Sequence, residues 1–231
     1  MAAILLISVL TLVLYLLLCV AASFCFCGAL RMISWRWLAC GATYVGLGQL
    51  AVFLPTWSAL RFDEWNWQGK MLQTVLALSA AAFIGVKGVF GPGKWRSWCT
   101  RQSLCWFASI IALALVSNLF FLAEVAGCHR LAFQLTMPGL AEEAFYRGSA
   151  VALTYRALSS RANPRATIFS YGIAQTLFCF THTVFPVDGS LVVDLSAVVA
   201  PAVVGVLLCG LRWSSRSVWP AVVAHNLFNS A

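Results

Sequence analysis

The stretch Leu140-Ala-Glu-Glu-Ala-Phe-Tyr-Arg-Gly148 sets two adjacent carboxylates and an arginine among small and apolar residues. An ionisable group inside a membrane segment is costly unless it is paired or faces water, so such a cluster is a functional-site hypothesis by default. Helical geometry separates the two acids. Glu143 and Arg147 stand at i,i+4 on one face, whereas Glu142 is turned about 100° from Glu143. Glu143 therefore has a neutralising partner in its own helix, and Glu142 has none there. Two readings follow: a structural ion pair with a spare acid, or a working Glu142 beside a supporting Glu143–Arg147 pair.

The surroundings decide that the helix is a membrane helix. The chain has 231 residues, of which 61% are hydrophobic and 10% charged, against roughly half and a quarter in ordinary soluble domains. The fold class is all-α: a polytopic membrane protein, a bundle of about eight transmembrane helices forming one domain over 1–231. Apolar runs long enough to span a bilayer fall at about 2–30, 37–60, 71–90, 104–126, 138–157, 166–185 and 191–211, with a shorter one at 218–231. The first run is too long for a signal-peptide core and stays as a helix.

Basic residues give the orientation, because the cytoplasmic side holds the excess of Lys and Arg. One set of connections collects Arg31, Arg36, Lys87, Lys94, Arg96, Arg101, Arg156, Arg161, Arg165, Arg212 and Arg216; the other holds only Arg61, Lys70 and Arg130. This places both termini outside, in a plasma (bacterial inner) membrane. The net charge of +8 is dispersed between apolar runs rather than along one face, which argues against nucleic acid as a partner. Nine scattered cysteines with no Cys-x-x-Cys pair argue against a disulfide scaffold or a zinc knuckle. Gly88-Val-Phe-Gly-Pro-Gly-Lys94 resembles a phosphate loop, but Trp95 stands where that motif needs Ser or Thr, so no nucleotide is expected. The tryptophans of 61–70 read as interfacial anchors, and Glu124 and His129 as interfacial polar residues.

Thr136-Met-Pro-Gly139 reads as a helix start, with Thr136 as N-cap and Pro138 in the first turn. That puts Glu142 roughly 6 Å inside the outer end of the fifth helix, with 127–135 as an outer loop or surface helix. The sixth span carries Phe178-Cys-Phe-Thr-His182, with His182 near the same outer end, and the last carries His225-Asn-Leu-Phe-Asn229. His225 and Asn229 share a face at i,i+4. A carboxylate that takes a proton from water, histidines that orient or protonate, and an amide that donates to an oxyanion suffice for water attack on an acyl carbon. Ser149 and Cys179 lie in no recognisable nucleophile arrangement. Glu142, His182 and His225 are also the residues that would hold a divalent metal such as zinc, although the His-Glu-x-x-His pattern is missing.

Glu142-Glu143-x-x-x-Arg147, Phe178-x-x-x-His182 and His225-x-x-x-Asn229 resemble the three motifs of the CPBP family of intramembrane proteases, which includes the type II CAAX prenyl endopeptidases and bacteriocin-processing enzymes. The resemblance extends over 138–231; the first half is similar only as generic membrane helices. It implies an eight-helix core in which Glu142 activates water for peptide-bond cleavage, with His182 and His225 beside the water, Asn229 at the oxyanion and Glu143 with Arg147 in support. No cofactor is required on this reading. The implied partner is a membrane-anchored protein or peptide in the lipid bilayer. The outer position expected for Glu142 favours an exported substrate cut near its C-terminal anchor or sorting segment, with CAAX-type processing of prenylated C-termini at the cytoplasmic face as the alternative. A non-catalytic peptide-binding immunity or chaperone-like membrane protein is the competitor from another class.

Overall fold

A computed structural model describes residues 1–27, 33–57, 65–85, 89–91, 98–121, 128–158, 163–187 and 189–230. Eight long helices run through these residues: α1 (Ala2–Cys27), α2 (Trp35–Trp57), α3 (Trp67–Ile84), α4 (Arg101–Phe121), α5 (residues 128–158), α6 (Pro164–Thr183), α7 (Val199–Ser215) and α8 (Trp219–Ser230). The expected all-α membrane bundle is what forms. Helices satisfy every backbone group internally, which hydrocarbon demands. By length and apolarity Ala2–Cys25, Trp35–Thr56 and Ser196–Ser215 can each cross a bilayer. The outer face of α1 leaves Leu5, Leu6, Val9 and Leu17 exposed, as a lipid-facing surface does.

The core sits around the middle of α5. Tyr15, Val45, Phe145, Tyr146, Leu177 and Phe178 belong to one buried cluster, and Ile110, Leu208, Leu211 and Ala224 to a second between α4, α7 and α8. Within α5 the segment Glu143–Ala150 widens into a π-helical stretch, flanked by α-helical turns over Cys128–Glu142 and Val151–Leu158. Neighbouring helices hold this wide turn: Tyr44 stacks on Phe145 with ring centroids 4.4 Å apart and its hydroxyl donates to the Phe145 carbonyl, while Ser149 Oγ donates to the Ala77 carbonyl at 3.0 Å. Such π stretches recur at functional sites.

Three boundaries differ from the sequence-based expectation. The fifth helix begins at Cys128, not at 138, and runs through Pro138; Thr136 is no N-cap, since its hydroxyl donates back to the Ala132 carbonyl at 2.6 Å. The helix survives its proline because α8 supplies partners: Asn226 Oδ1 accepts from the Gly139 N–H at 2.7 Å and Asn226 Nδ2 donates to the Thr136 carbonyl at 3.2 Å. Gly139 permits that contact, as a Cβ there would lie 2.6 Å from the Val222 carbonyl oxygen. Glu142 consequently lies about 21 Å along the helix from Cys128, at the middle of residues 128–158 rather than near an end.

The second difference is a hairpin. The sixth span ends at Thr183, and β1 (Val184–Val187) pairs antiparallel with β2 (Ser190–Val193), Phe185 opposite Val192, before α7 starts. The third is that α3 starts at Trp67 rather than at 71. Asn66 caps it by accepting from the Gly69 N–H at 3.1 Å, and its amide donates to the Val52 carbonyl at 2.7 Å, which docks the new helix on α2. Lys70 is thus in a helix, not in an outer loop. Trp65 and Trp67 pack on Phe133, with ring centroids 5.7 and 5.2 Å away. Glu124, most of the glycine-rich 88–94 stretch and 61–64 lie outside the described residues.

Candidate active site

Glu143 and Arg147 are both fully buried, and the i,i+4 pair anticipated from spacing forms, with Arg147 NH1 donating to Glu143 Oε1 at 2.9 Å. Arg147 is held from three further directions: its other terminal nitrogen donates to Gln175 Oε1 at 2.8 Å and reaches the Gly205 carbonyl at 3.4 Å, and its guanidinium lies 4.1 Å from the Phe178 ring centroid. A buried ion needs this many partners to offset desolvation.

Glu143 passes the order on to His225. The imidazole Nδ1 lies 2.8 Å from Glu143 Oε1; a carboxylate already accepting from Arg147 accepts here too, which puts the proton on Nδ1 and leaves the Nε2 lone pair free. That Nε2 is 3.7 Å from Glu142 Oε2. His182 is fixed in the same tautomer by a different route: its Nδ1 lies 2.8 Å from the Phe178 carbonyl, an acceptor only, and its Nε2 is 3.8 Å from the same Glu142 Oε2. Three acceptors therefore converge, at separations that a bridging water fits.

The other carboxylate oxygen of Glu142 is not spare. Lys70, from the first turn of α3, donates to Glu142 Oε1. The expectation of an unpaired Glu142 is corrected here; its partner comes from another helix. Tyr146 closes the side of the site toward α6 and α2, its hydroxyl 2.9 Å from Thr181 Oγ1 and accepting from Gln49 Nε2 at 3.2 Å.

These groups open on a cavity of about 230 Å³ between α2, α3, α5 and α6, to which Gln49, Asn66, Lys70, Gln73, Glu142 and His182 contribute polar surface and Val52 and Phe53 apolar surface. Glu142, His182 and His225 are thus brought together, with Glu143 and Arg147 behind them. Asn229 lies one turn beyond His225 on α8, half-buried, and does not line the cavity. The α8 amide with structural contacts is Asn226. Sequence reasoning passed over Asn226, Lys70, Gln49 and Gln73. The last two are polar residues within apolar spans, which is the signal that could have found them.

The carboxylate and two imidazoles are donor types that zinc accepts, but their placement does not suit an ion. Among the described residues no three His, Cys, Asp or Glu side chains are gathered as a metal-holding group, and the Lys70 ammonium puts a positive charge on the carboxylate that such an ion would have to share.

Residues 125–231 match the family model described as type II CAAX prenyl endopeptidase Rce1-like. Comparison with curated proteins and with solved structures gives no match. The matched segment holds α5 to α8 and with them Glu142, Glu143, Arg147, His182 and His225; Lys70, Gln49 and Gln73 lie outside it.

Proposed function

We propose that this membrane protein, whose residues 125–231 match the type II CAAX prenyl endopeptidase Rce1-like family model, is an intramembrane endopeptidase that removes the C-terminal peptide of a membrane-anchored protein with a Glu142-activated water. The observation that carries the reading is the convergence of the His182 and His225 Nε2 atoms on one oxygen of Glu142, at 3.8 and 3.7 Å. A water bridging these acceptors gives a proton to Glu142 as its oxygen attacks the scissile carbonyl carbon. The C–N bond then breaks, and the proton returns from Glu142 to the departing amine, leaving a new carboxylic acid. General acid–base catalysis of this kind is worth about 10²- to 10⁴-fold. No step runs through a metal.

The family match supports a CAAX-type, lipid-anchored C-terminus as substrate. Although Glu142 is at the middle of α5, it meets Lys70 in the first turn of α3 and His182 in the last turn of α6, so its depth still supports an exported substrate beside the family match. The asymmetry of basic residues along the sequence supports both termini outside in a plasma membrane.

Purified protein in vesicles, given a fluorogenic peptide ending in prenylated Cys-aliphatic-aliphatic-X and its unprenylated counterpart, tests the proposal. Wild-type cleavage of the prenylated peptide, lost in a stably inserted Glu142→Gln variant, is the expected result. Undiminished cleavage by Glu142→Gln would sink the mechanism, and preference for the unprenylated peptide would sink the substrate class.

A further inference from the structure

Lys70 and Gln73 stand at i,i+3 on α3, outside the family-matched segment, and both line the cavity in front of Glu142. Their polar atoms are incompletely used. Gln73 is 1% exposed and its Oε1 is buried with no hydrogen-bond partner; an orphaned buried acceptor is costly, and a native structure keeps one where something else completes it. An ammonium has three donors, and among the described residues Glu142 Oε1 is the only side-chain acceptor recorded for Lys70. Neither Asn229, the amide implied by resemblance for the oxyanion, nor His225 lines this cavity.

The two oxygens of Glu142 divide the site. Oε2 faces the two imidazoles, where the water belongs, and Oε1 faces Lys70. A carbonyl carbon attacked from the Oε2 side has its oxygen next to Lys70. Resting on the hydrolytic reading above, we infer that Lys70 is the oxyanion donor of the reaction and Gln73 a substrate-binding residue: the Lys70 ammonium donates to the scissile carbonyl oxygen, and Gln73 Oε1 accepts a backbone N–H of the same peptide. Proton and charge balance at each stage. As Glu142 takes the water proton and loses its negative charge, the carbonyl oxygen gains one beside Lys70. As the C–N bond breaks, the oxyanion collapses to the new carboxyl group, the amine takes the proton from Glu142, and the Lys70–Glu142 pair is restored.

The test uses the full chain in vesicles, the prenylated fluorogenic peptide, and a phosphinate analogue of it in which a tetrahedral phosphorus replaces the scissile carbonyl carbon. Loss of one oxyanion donor lowers kcat by about 10²- to 10³-fold, so Lys70→Met is expected to lose kcat by that factor with KM within about threefold, and to lose phosphinate affinity in parallel, since the analogue reports transition-state binding. Gln73→Leu is expected to raise KM about tenfold with kcat nearly unchanged, the loss of one hydrogen bond to a bound peptide. Should Lys70→Met fail to insert, Lys70→Leu, which also lacks a donor, carries the same expectation.

An inserted Lys70 variant that binds the phosphinate as tightly as wild type overturns the oxyanion role and leaves Lys70 a counter-charge for Glu142. A Gln73→Leu protein with wild-type KM overturns the binding role. Wild-type cleavage lost in Glu142→Gln but kept in Lys70→Met overturns this inference alone; a wild type that neither cleaves the peptide nor binds the phosphinate overturns the hydrolase reading together with it.

Discussion

Replacing Arg147 by Met tests whether the buried pair behind Glu142 holds the site together. The substitution keeps most of the side-chain volume and removes the charge. It deletes the 2.9 Å bond to Glu143, the 2.8 Å bond to Gln175 and the contact with the Phe178 ring, and it leaves the fully buried Glu143 carboxylate with His225 as its remaining partner. Glu143 Oε2 already lacks a partner, so nothing nearby compensates. Breaking a buried pair from one side costs about 3–5 kcal/mol, and the three lost contacts put Arg147→Met at the upper end. Removing the acid as well, in Glu143→Leu/Arg147→Met, relieves the stranded charge, so the double variant is expected to recover about 1–3 kcal/mol relative to the sum of the single ones. Mixed-micelle unfolding in increasing SDS, followed by fluorescence of the ten tryptophans, measures both quantities. A loss below about 1 kcal/mol in Arg147→Met, well short of the buried-pair range, with strict additivity in the double variant, would refute the reasoning.

Three further outcomes follow from particular contacts. Gly139→Ala pushes a Cβ to within 2.6 Å of the Val222 carbonyl oxygen, so it should separate α5 from α8 at a cost of about 1–3 kcal/mol, read by the same unfolding assay. Asn229→Ala should keep kcat within about threefold of wild type, against the 10²-fold or greater loss from an oxyanion donor; a loss as large as that of Lys70→Met would return the oxyanion to Asn229. Chelation with EDTA followed by gel filtration should leave cleavage of the prenylated peptide unchanged within twofold, and activity restored only by added zinc would defeat the metal-free mechanism.

What the sequence discloses and what it hides have different physical causes. The Glu143–Arg147 pair is legible because one helix builds it at fixed spacing, and α-helical phase separates Glu142 from it. The meeting of His182 and His225 at Glu142 is legible once helices six and eight are recognised as neighbours of the fifth. Pro138 misleads because the local signal for a helix start is sound; only Asn226, reaching over from α8 to Gly139 and Thr136, lets the helix continue through it. Lys70 was hidden by company, since Trp, Asp, Asn and Lys together read as an interfacial loop. Asn66 was the available correction, as Asn is a strong N-cap residue. The hairpin after His182 carries its own sequence cue, Asp188-Gly189 between Val184-Phe-Pro-Val187 and Ser190-Leu-Val-Val193, overridden here by overall apolarity.

The pairing of Lys70 with Glu142 changes the meaning of the cluster at 142–147. A lone buried carboxylate in a membrane protein would bear the full cost of an uncompensated charge, and a metal would relieve that cost at the expense of the base's freedom to take a proton. The site instead contains two acid–base pairs, Glu142 with Lys70 and Glu143 with Arg147. They differ in what surrounds them. Arg147 is enclosed by Gln175, Gly205 and Phe178, so its pair is fixed, whereas the pair of Lys70 borders the cavity and can exchange one oxygen acceptor for another. In the proposed reaction, each proton that Glu142 gains frees Lys70 for the charge that the substrate develops in the same step. The net charge of the buried site then stays constant through hydrolysis, which is the condition under which such chemistry is least expensive in a low-dielectric interior. On this account the family-matched segment supplies the base and its histidines, and the preceding helices supply the counter-charge against which that base works.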